Sequence, residues 1–197
     1  VALLAIAMGA PMLCGCSINL GSLAPEPDKE PAIAAPSGAA ISDARIHNSS
    51  GQALARAGKN HEALAQFDEA IILDPHNADA FYNRGLVYQA VKQHQLAIDD
   101  FTAANGLTPQ RAEPLLARAI SFLAVDKVGE AVGDLDEAVQ ADPRNPQIWT
   151  TRGLAYERLG NKSKAAESYG HAINLRPDDE AAQSGFIRVG GKPGQSE

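Results

Sequence analysis

Between residues 44 and 179 the apolar positions of this chain recur in a fixed phase, with polar residues filling the intervals. Alanine stands at Ala63, Ala97, Ala131 and Ala165, and again at Ala70, Ala104, Ala138 and Ala172. Between them lies a large apolar residue, Phe67, Phe101, Leu135 or Tyr169, and sixteen residues before it a small one, Gly51, Gly85, Ala119 or Gly153. Prolines 34 residues apart, Pro75, Pro109, Pro143 and Pro177, close each period. Spacings of three and four, as in Phe81, Gly85 and Tyr88 and then Ala97, Phe101 and Ala104, predict two amphipathic helices per period. Proline lacks the backbone donor and disfavours helix in the residue before it, so each one stops a second helix. Asn77 and Asp179 stand where they would cap the next helix. A single hairpin of this kind cannot bury its apolar faces alone, so neighbours must stack around a shared core.

This outline resembles the tetratricopeptide repeat. Residues 78–111 are its best copy, with Phe81, Gly85, Tyr88, Ala97, Phe101, Ala104 and Pro109 on the family's marked positions. Residues 44–77, 112–145 and 146–179 complete the set. The resemblance implies an all-α fold, a right-handed α-solenoid of four helix-turn-helix units. Residues 180–189 are expected to form a C-terminal capping helix with Phe186 and Ile187 turned inward, and residues 190–197 a frayed tail. The first unit departs from the pattern at His47, where an aromatic normally packs. In the third, Gly129 and Gly133 each cost about 1 kcal/mol against alanine, so the middle of the array is expected to be its softest part.

The resemblance also places a concave groove on the first helix of each unit. Mapping the family's groove positions gives an apolar strip of Tyr82, Leu86, Leu116, Ile120, Leu123 and Leu154, with Asn83 beside it and polar residues at both ends. An exposed apolar strip of this kind marks an interaction surface, and a protein or peptide is the expected occupant. Two other occupants stay open: the amino-terminal tether and a second copy of the chain as a homodimer. Tyr82 is the one aromatic off the scaffold positions, so Tyr82→Ala is expected to spare folding and Phe81→Ala to damage it. The family's clamp for a terminal carboxylate is not carried over, because Asn48 and Asn83 are present but no groove lysine is, and Glu113 stands in the third unit.

Arginine recurs at Arg84, Arg118 and Arg152, with Asp100, Asp134 and Ser168 sixteen residues later. The first unit has Ser50 and Gln66 at these positions. Arg84–Asp100 and Arg118–Asp134 are expected to be structural pairs between the two helices of a unit, with an anion-binding ladder as the alternative. Asp99–Asp100 and Asp178–Asp179 are read as a solvated face and a turn.

The amino terminus is a different kind of sequence. Residues 1–13 are apolar and uncharged, too few to cross a bilayer. They suit a secretory leader, here without a basic n-region. Leu13-Cys14-Gly15-Cys16 resembles a bacterial lipobox, which implies a lipoprotein signal over residues 1–15 and acylation of Cys16, with an uncleaved anchor as the alternative. Residues 16–43 carry Pro25, Pro27, Pro31 and Pro36 and read as a disordered tether. Ser17 leans the expected location towards the outer membrane, facing the periplasm, with the membrane as partner through the lipid.

The formal net charge of −7 argues against nucleic acid as a partner. The five histidines fall at unrelated positions and the Cys14–Cys16 pair lacks further ligands, so neither a metal nor a cofactor is expected. No nucleotide-binding or hydrolase motif occurs, so no catalytic residue is assigned. Two functions remain: an adaptor or assembly factor of the bacterial envelope, or a permanent subunit of a pilus or secretion machine.

Overall fold

The computed structural model describes residues 35–109 and 111–192, and the helices all lie in the compact unit 36–197. The leader, Cys16, most of the tether and residues 193–197 lie outside the described residues. The helices are α1 (Gly38–Arg56), α2 (Asn60–Leu73), α3 (Ala78–Ala90), α4 (His94–Leu107), α5 (Ala112–Ala124), α6 (Val128–Ala141), α7 (Pro146–Arg158), α8 (Lys162–Leu175) and α9 (Glu180–Arg188). No strand occurs among the described residues. No helix there is long and apolar enough to cross a membrane.

Local chemistry sets these boundaries. Asn77, Asn145, Asn161 and Asp179 accept bonds from the first free amides of α3, α7, α8 and α9. The first helix of every pair ends on a residue with positive φ, namely Gly58, Lys92, Asp126 and Gly160. The amide one residue later bonds back five residues, as from Lys59 to the Leu54 carbonyl and from Gln93 to the Tyr88 carbonyl, the Schellman closure of a helix. The expected start of α1 needs correction. It begins at Gly38 and takes in the last six residues of the expected tether, because Ser37 caps it by accepting from the Ala40 amide. Ala39, Ala40 and Ile41 then continue the helix without a breaker.

Each helix packs on the next in the chain, and α1, α3, α5, α7 and α9 also touch in series, whereas the even-numbered helices do not touch one another. The row of odd helices is therefore the inner, more crowded side of the curve, and the even helices form the outer side. Glycine and aromatic ring meet inside each pair. A Cβ on Gly51, Gly85 or Gly153 would stand 2.5–2.7 Å from the ring of Phe67, Phe101 or Tyr169. The third pair solves the same problem with Ala119 and Leu135, both fully buried.

Gly129 and Gly133 lie on the open side of α6, where an added Cβ would meet nothing, while Ala131, Leu135 and Ala138 on its other side join a core cluster. At the far end Phe186 packs against the Tyr156–Tyr169 cluster. Ile187 does not turn inward as expected and is 55% exposed. Adjacent helical residues point apart, and α9 has only α7 and α8 to cover it.

Candidate functional site

The inner face presents the first helix of each pair, but its apolar strip is not continuous. Leu86 is 37% and Leu154 40% exposed. Ile120 is partly buried against the core of the third pair. Leu116 and Leu123, expected on the surface, are 7% and 6% exposed and belong to that core. Long side chains from the flanking helices reach across them. Gln89 of α3 donates to the Ala117 carbonyl and the Ser121 hydroxyl, and Arg158 of α7 donates to the Leu123 carbonyl at 2.6 Å. Gln89 and Arg158 both fall on the family's groove positions, but a groove position predicts which way a side chain points and not what lies across it.

Tyr82 is also corrected. Its ring packs on Phe101 with centroids 5.8 Å apart, and the Arg111 guanidinium lies 5.9 Å from its face. Burial pushes its hydroxyl up, Glu113 adds to that, and Arg111 opposes it. It belongs partly to the core of the second pair, so truncating it costs folding as well as surface. Phe81 is only partly buried, with the Arg84 guanidinium 5.6 Å above it. The expected contrast between these neighbours is lost.

Polar bonds link one first helix to the next along the whole face. Asn83 donates to Asn48 at 3.0 Å, joining α3 to α1. Arg111 bridges Asp79 and Glu113. Thr150 donates to Asp179 at 2.8 Å, and Arg188 holds Glu157 with two bonds, docking α9 on α7. These Arg188 bonds hold the Glu157 carboxyl below its usual range against the opposing effect of burial, and the Tyr169 hydroxyl adds a further bond. Burial also acts against ionisation of Asp179, but the bonds from Arg176, the Ala182 amide and Thr150 outweigh it and leave the carboxyl below its ordinary value.

At the junction of the first two pairs the inner face opens into a cavity of about 290 Å³. Its apolar wall is Ala55, Phe67, Leu86, Val87 and Ala90, and its polar rim is Gln52, Arg56, Asn60 and Asn83. Leu86 and Asn83 of this set were expected in the binding strip, and Gln52 and Arg56 at its polar end; the cavity itself arises where α1 ends and α2 begins, a gap that no single helix pattern reports.

The arginines form a second, deeper feature. Arg84 holds Asp100 through Nε and Nη2 at 2.9 and 2.6 Å, and Arg118 holds Asp134 through the same two atoms at 2.8 Å each. Each guanidinium also reaches back to the preceding pair: Arg84 to Asp68, Arg118 to Thr102 and Arg152 to Asp136. Arg152 meets Ser168 on the forward side. Asp68, Thr102 and Asp136 share one repeat position, sixteen residues before the arginine, so the signal was present in the same period on the other side. Asp100 is buried, not on a solvated face as expected. Burial pushes its carboxyl up and the bonds from Arg84 pull it back, while the Arg84 guanidinium is held more firmly protonated by Asp100. The guanidiniums are committed to carboxylates and hydroxyls within the fold, so this row is scaffold.

Among the described residues no group of three His, Cys, Asp or Glu side chains is placed to hold a metal ion. What the inner face offers is a scaffold for contact, with Leu86 and Leu154 exposed and a cavity beside Leu86 between stitched helices.

Comparison with known proteins agrees with this geometry. A family profile described as TPR repeat matches residues 51–91, and two described as tetratricopeptide repeat match residues 78–111 and 116–180. The bovine BBSome complex member BBS4 (Bos taurus) is 28% identical over 132 residues, 64% of this chain but only 24% of that protein, so the chain spans about a quarter of its length. Among solved structures, MamA protein superposes with a TM-score of 0.71 at 20% identity, covering 75% of this chain and 80% of that one. The first TPR of Spaghetti (RPAP3) bound to an HSP90 peptide superposes with a TM-score of 0.60 at 22% identity, covering 61% of this chain and 95% of that one.

Proposed function

Because the chain belongs to the tetratricopeptide-repeat family, whose fold is a protein-interaction scaffold, we propose that it is an adaptor or assembly factor of the bacterial cell envelope. It holds a segment of another protein on the inner face of its odd-numbered helices. The observation that carries this reading is the exposure of Leu86 and Leu154 on an otherwise stitched face, with the 290 Å³ cavity beside Leu86. Apolar side chains left open on a rigid, hydrogen-bonded surface suit anchors from a partner segment. The RPAP3 domain holding an HSP90 peptide is a precedent for a scaffold of this fold working that way.

The chain reaches the membrane through its amino terminus. Leu13-Gly15-Cys16 after an apolar run supports acylation at Cys16 and an outer-membrane lipoprotein facing the periplasm. The helix start at Gly38 leaves residues 17–37 between the acylated cysteine and α1, at most about 65 Å when extended at about 3.1 Å per residue.

Two measurements test the proposal. Cys16→Ser should move the protein out of the membrane fraction or leave a precursor, while Cys14→Ser should not; an unlipidated mature protein that retains residues 1–15 would sink the anchor. A photo-crosslinking residue at position 86 or 154 should give a discrete protein adduct in cells, and one on the outer side at position 72 should not. Adducts from position 72 alone would make the outer surface, not the groove, the working face.

A further inference from the structure

The lysines of the array are not scattered. Between residues 38 and 192 there are six, Lys59, Lys92, Lys127, Lys162, Lys164 and Lys192, and each lies in or beside the turn that follows an odd-numbered helix. Helices joined by tight turns reverse direction, so these turns line one edge of the stack and the turns after even-numbered helices line the other. On the lysine edge, residues 56–62, 90–96, 124–130, 158–164 and 188–192 carry nine cations against three carboxylates. That is a formal +6 in a chain of −7, which leaves −13 for everything else. All nine cations are exposed, and among the described residues only Lys59 and Arg188 of them meet a carboxylate. The opposite turns, residues 73–79, 107–113, 141–147 and 175–181, have no lysine, and Arg111 and Arg176 there are paired with acids. Helix dipoles do not explain the bias. Lys59 and Lys127 are N-cap residues and Lys162 and Lys164 stand in the first turn of α8, where positive charge opposes the dipole. The same edge carries an apolar ridge. Val91, Val125 and Leu159 share one repeat position, at the ends of α3, α5 and α7, and are 37%, 38% and 51% exposed. Each has a lysine within three residues.

We propose that this edge lies on an anionic phospholipid bilayer, with its lysines at the headgroup phosphates and Val91, Val125 and Leu159 in the interface between them. Cations gain attraction close to an anionic lipid surface, and apolar side chains set among them add burial at the headgroup level. The inference rests on the amino-terminal anchor, which keeps the chain beside a membrane. α1 starts at the opposite edge and its 19 residues are about 28 Å long. A tether of at most about 65 Å is long enough to run past it, so the basic edge can reach the bilayer. The strongly negative remainder of the molecule is repelled by the same lipid, so the edge fixes which side of the solenoid meets the membrane. The attraction is weak and screened by salt. It orients a chain that the acyl group holds and does not replace that group.

The test uses the full-length Cys16→Ser chain, which lacks the acyl group, and cosedimentation with vesicles of phosphatidylcholine alone or mixed with an equal part of phosphatidylglycerol. The apolar leader is common to every variant and does not distinguish the two lipids. The chain should bind the mixed vesicles in preference and release as salt rises past about 0.15 M. Lys92→Gln with Lys162→Gln should lower that partition about tenfold or more. Arg45→Gln with Arg144→Gln removes the same charge from the opposite edge and should leave the partition nearly unchanged. Val125→Ser with Leu159→Ser should lower it about threefold. All six positions are exposed, so urea melts should not move. Equal binding to both lipids, or a loss no greater for the lysine pair than for the arginine pair, would overturn the assignment. So would a partition that the serine pair leaves unchanged. A photo-crosslinker at position 125 that gives a discrete protein adduct in cells would make the edge a protein interface and overturn it too. Acylation is read separately, from the intact mass of the wild-type chain. A lysine-dependent edge on an unlipidated chain removes the anchor and leaves this inference, whereas an acylated chain with a lysine-independent edge does the reverse.

Discussion

At Gly51, Gly85 and Gly153 the missing side chain lets an aromatic ring from the paired helix lie against the backbone, and the third pair holds Ala119 against Leu135 instead. One chain thus contains two solutions to the same volume, and each can be moved to the other's place. Gly85→Ala puts a methyl 2.7 Å from Phe101 Cε1 and should cost about 1–3 kcal/mol by overpacking. Phe101→Leu alone leaves a void beneath Tyr82. Together they recreate the third pair's arrangement, so urea melts should show the double variant more stable than the sum of the singles predicts, with a coupling of at least about 0.5 kcal/mol. Additive losses would mean that the ring and the glycine are not one unit. A second residue is legible from the repeat alone: Asn105 stands where Ile71, Val139 and Ile173 stand in the other pairs. Its buried Oδ1 has no hydrogen-bond partner among the described residues. Asn105→Val should therefore raise stability by about 1–3 kcal/mol, and a fall in denaturation midpoint would show that the amide has a partner after all.

Among the elements, α9 depends most on a single side chain. Asp179 caps it through the Ala182 amide at 3.1 Å, accepts from Thr150 of α7, and pairs with Arg176 at 2.5 Å. Asp179→Ala should cost about 1 kcal/mol and open α9 first, read as faster amide exchange over residues 180–188 with α5 and α6 unchanged. Asp179→Asn keeps a capping oxygen and isolates the charge. Because the folded carboxyl titrates below its ordinary value, the charge contributes stability that is full above the ordinary aspartate range and is lost as pH falls through the folded value. The gap between wild type and Asp179→Asn should be constant from pH 7 to about 5 and shrink below about 4; a gap that widens with acid would contradict this sign. The helices were legible because period, caps and prolines agree locally. Where α1 begins was not, since residues 38–43 carry no repeat signal and only Ser37 marks the start. The binding strip was half legible. Leu86 and Leu154 are open as their positions imply, but Leu116 and Leu123 lie in the core, beneath helices whose Gln89 and Arg158 cross the third pair, and such crossings depend on tertiary neighbours.

Across the whole molecule the arginine row ties each pair to the one before it, and its chemistry is not uniform. Arg84 sits between two aspartates, Asp68 and Asp100; Arg118 between Thr102 and Asp134; Arg152 between Asp136 and Ser168. The order of the repeats is therefore written into their contacts, and copies that look equivalent by spacing are not interchangeable. Excising residues 78–111 would bring Arg118 between Asp68 and Asp134, still matched. Excising residues 112–145 would leave Arg152 between Thr102 and Ser168, a largely buried cation facing two hydroxyls, with only the exposed Glu167 at 4.0 Å to answer it. Both deletions remove 34 residues and one hairpin, yet the first should remain folded with a single cooperative melt and the second should melt earlier or in two steps. Equal stability would mean the row carries no order. With the predicted outcome, duplication and loss of repeats in this chain are constrained by neighbour identity: a new copy survives only where the carboxylate it brings, or the one it finds, completes the arginine beside it.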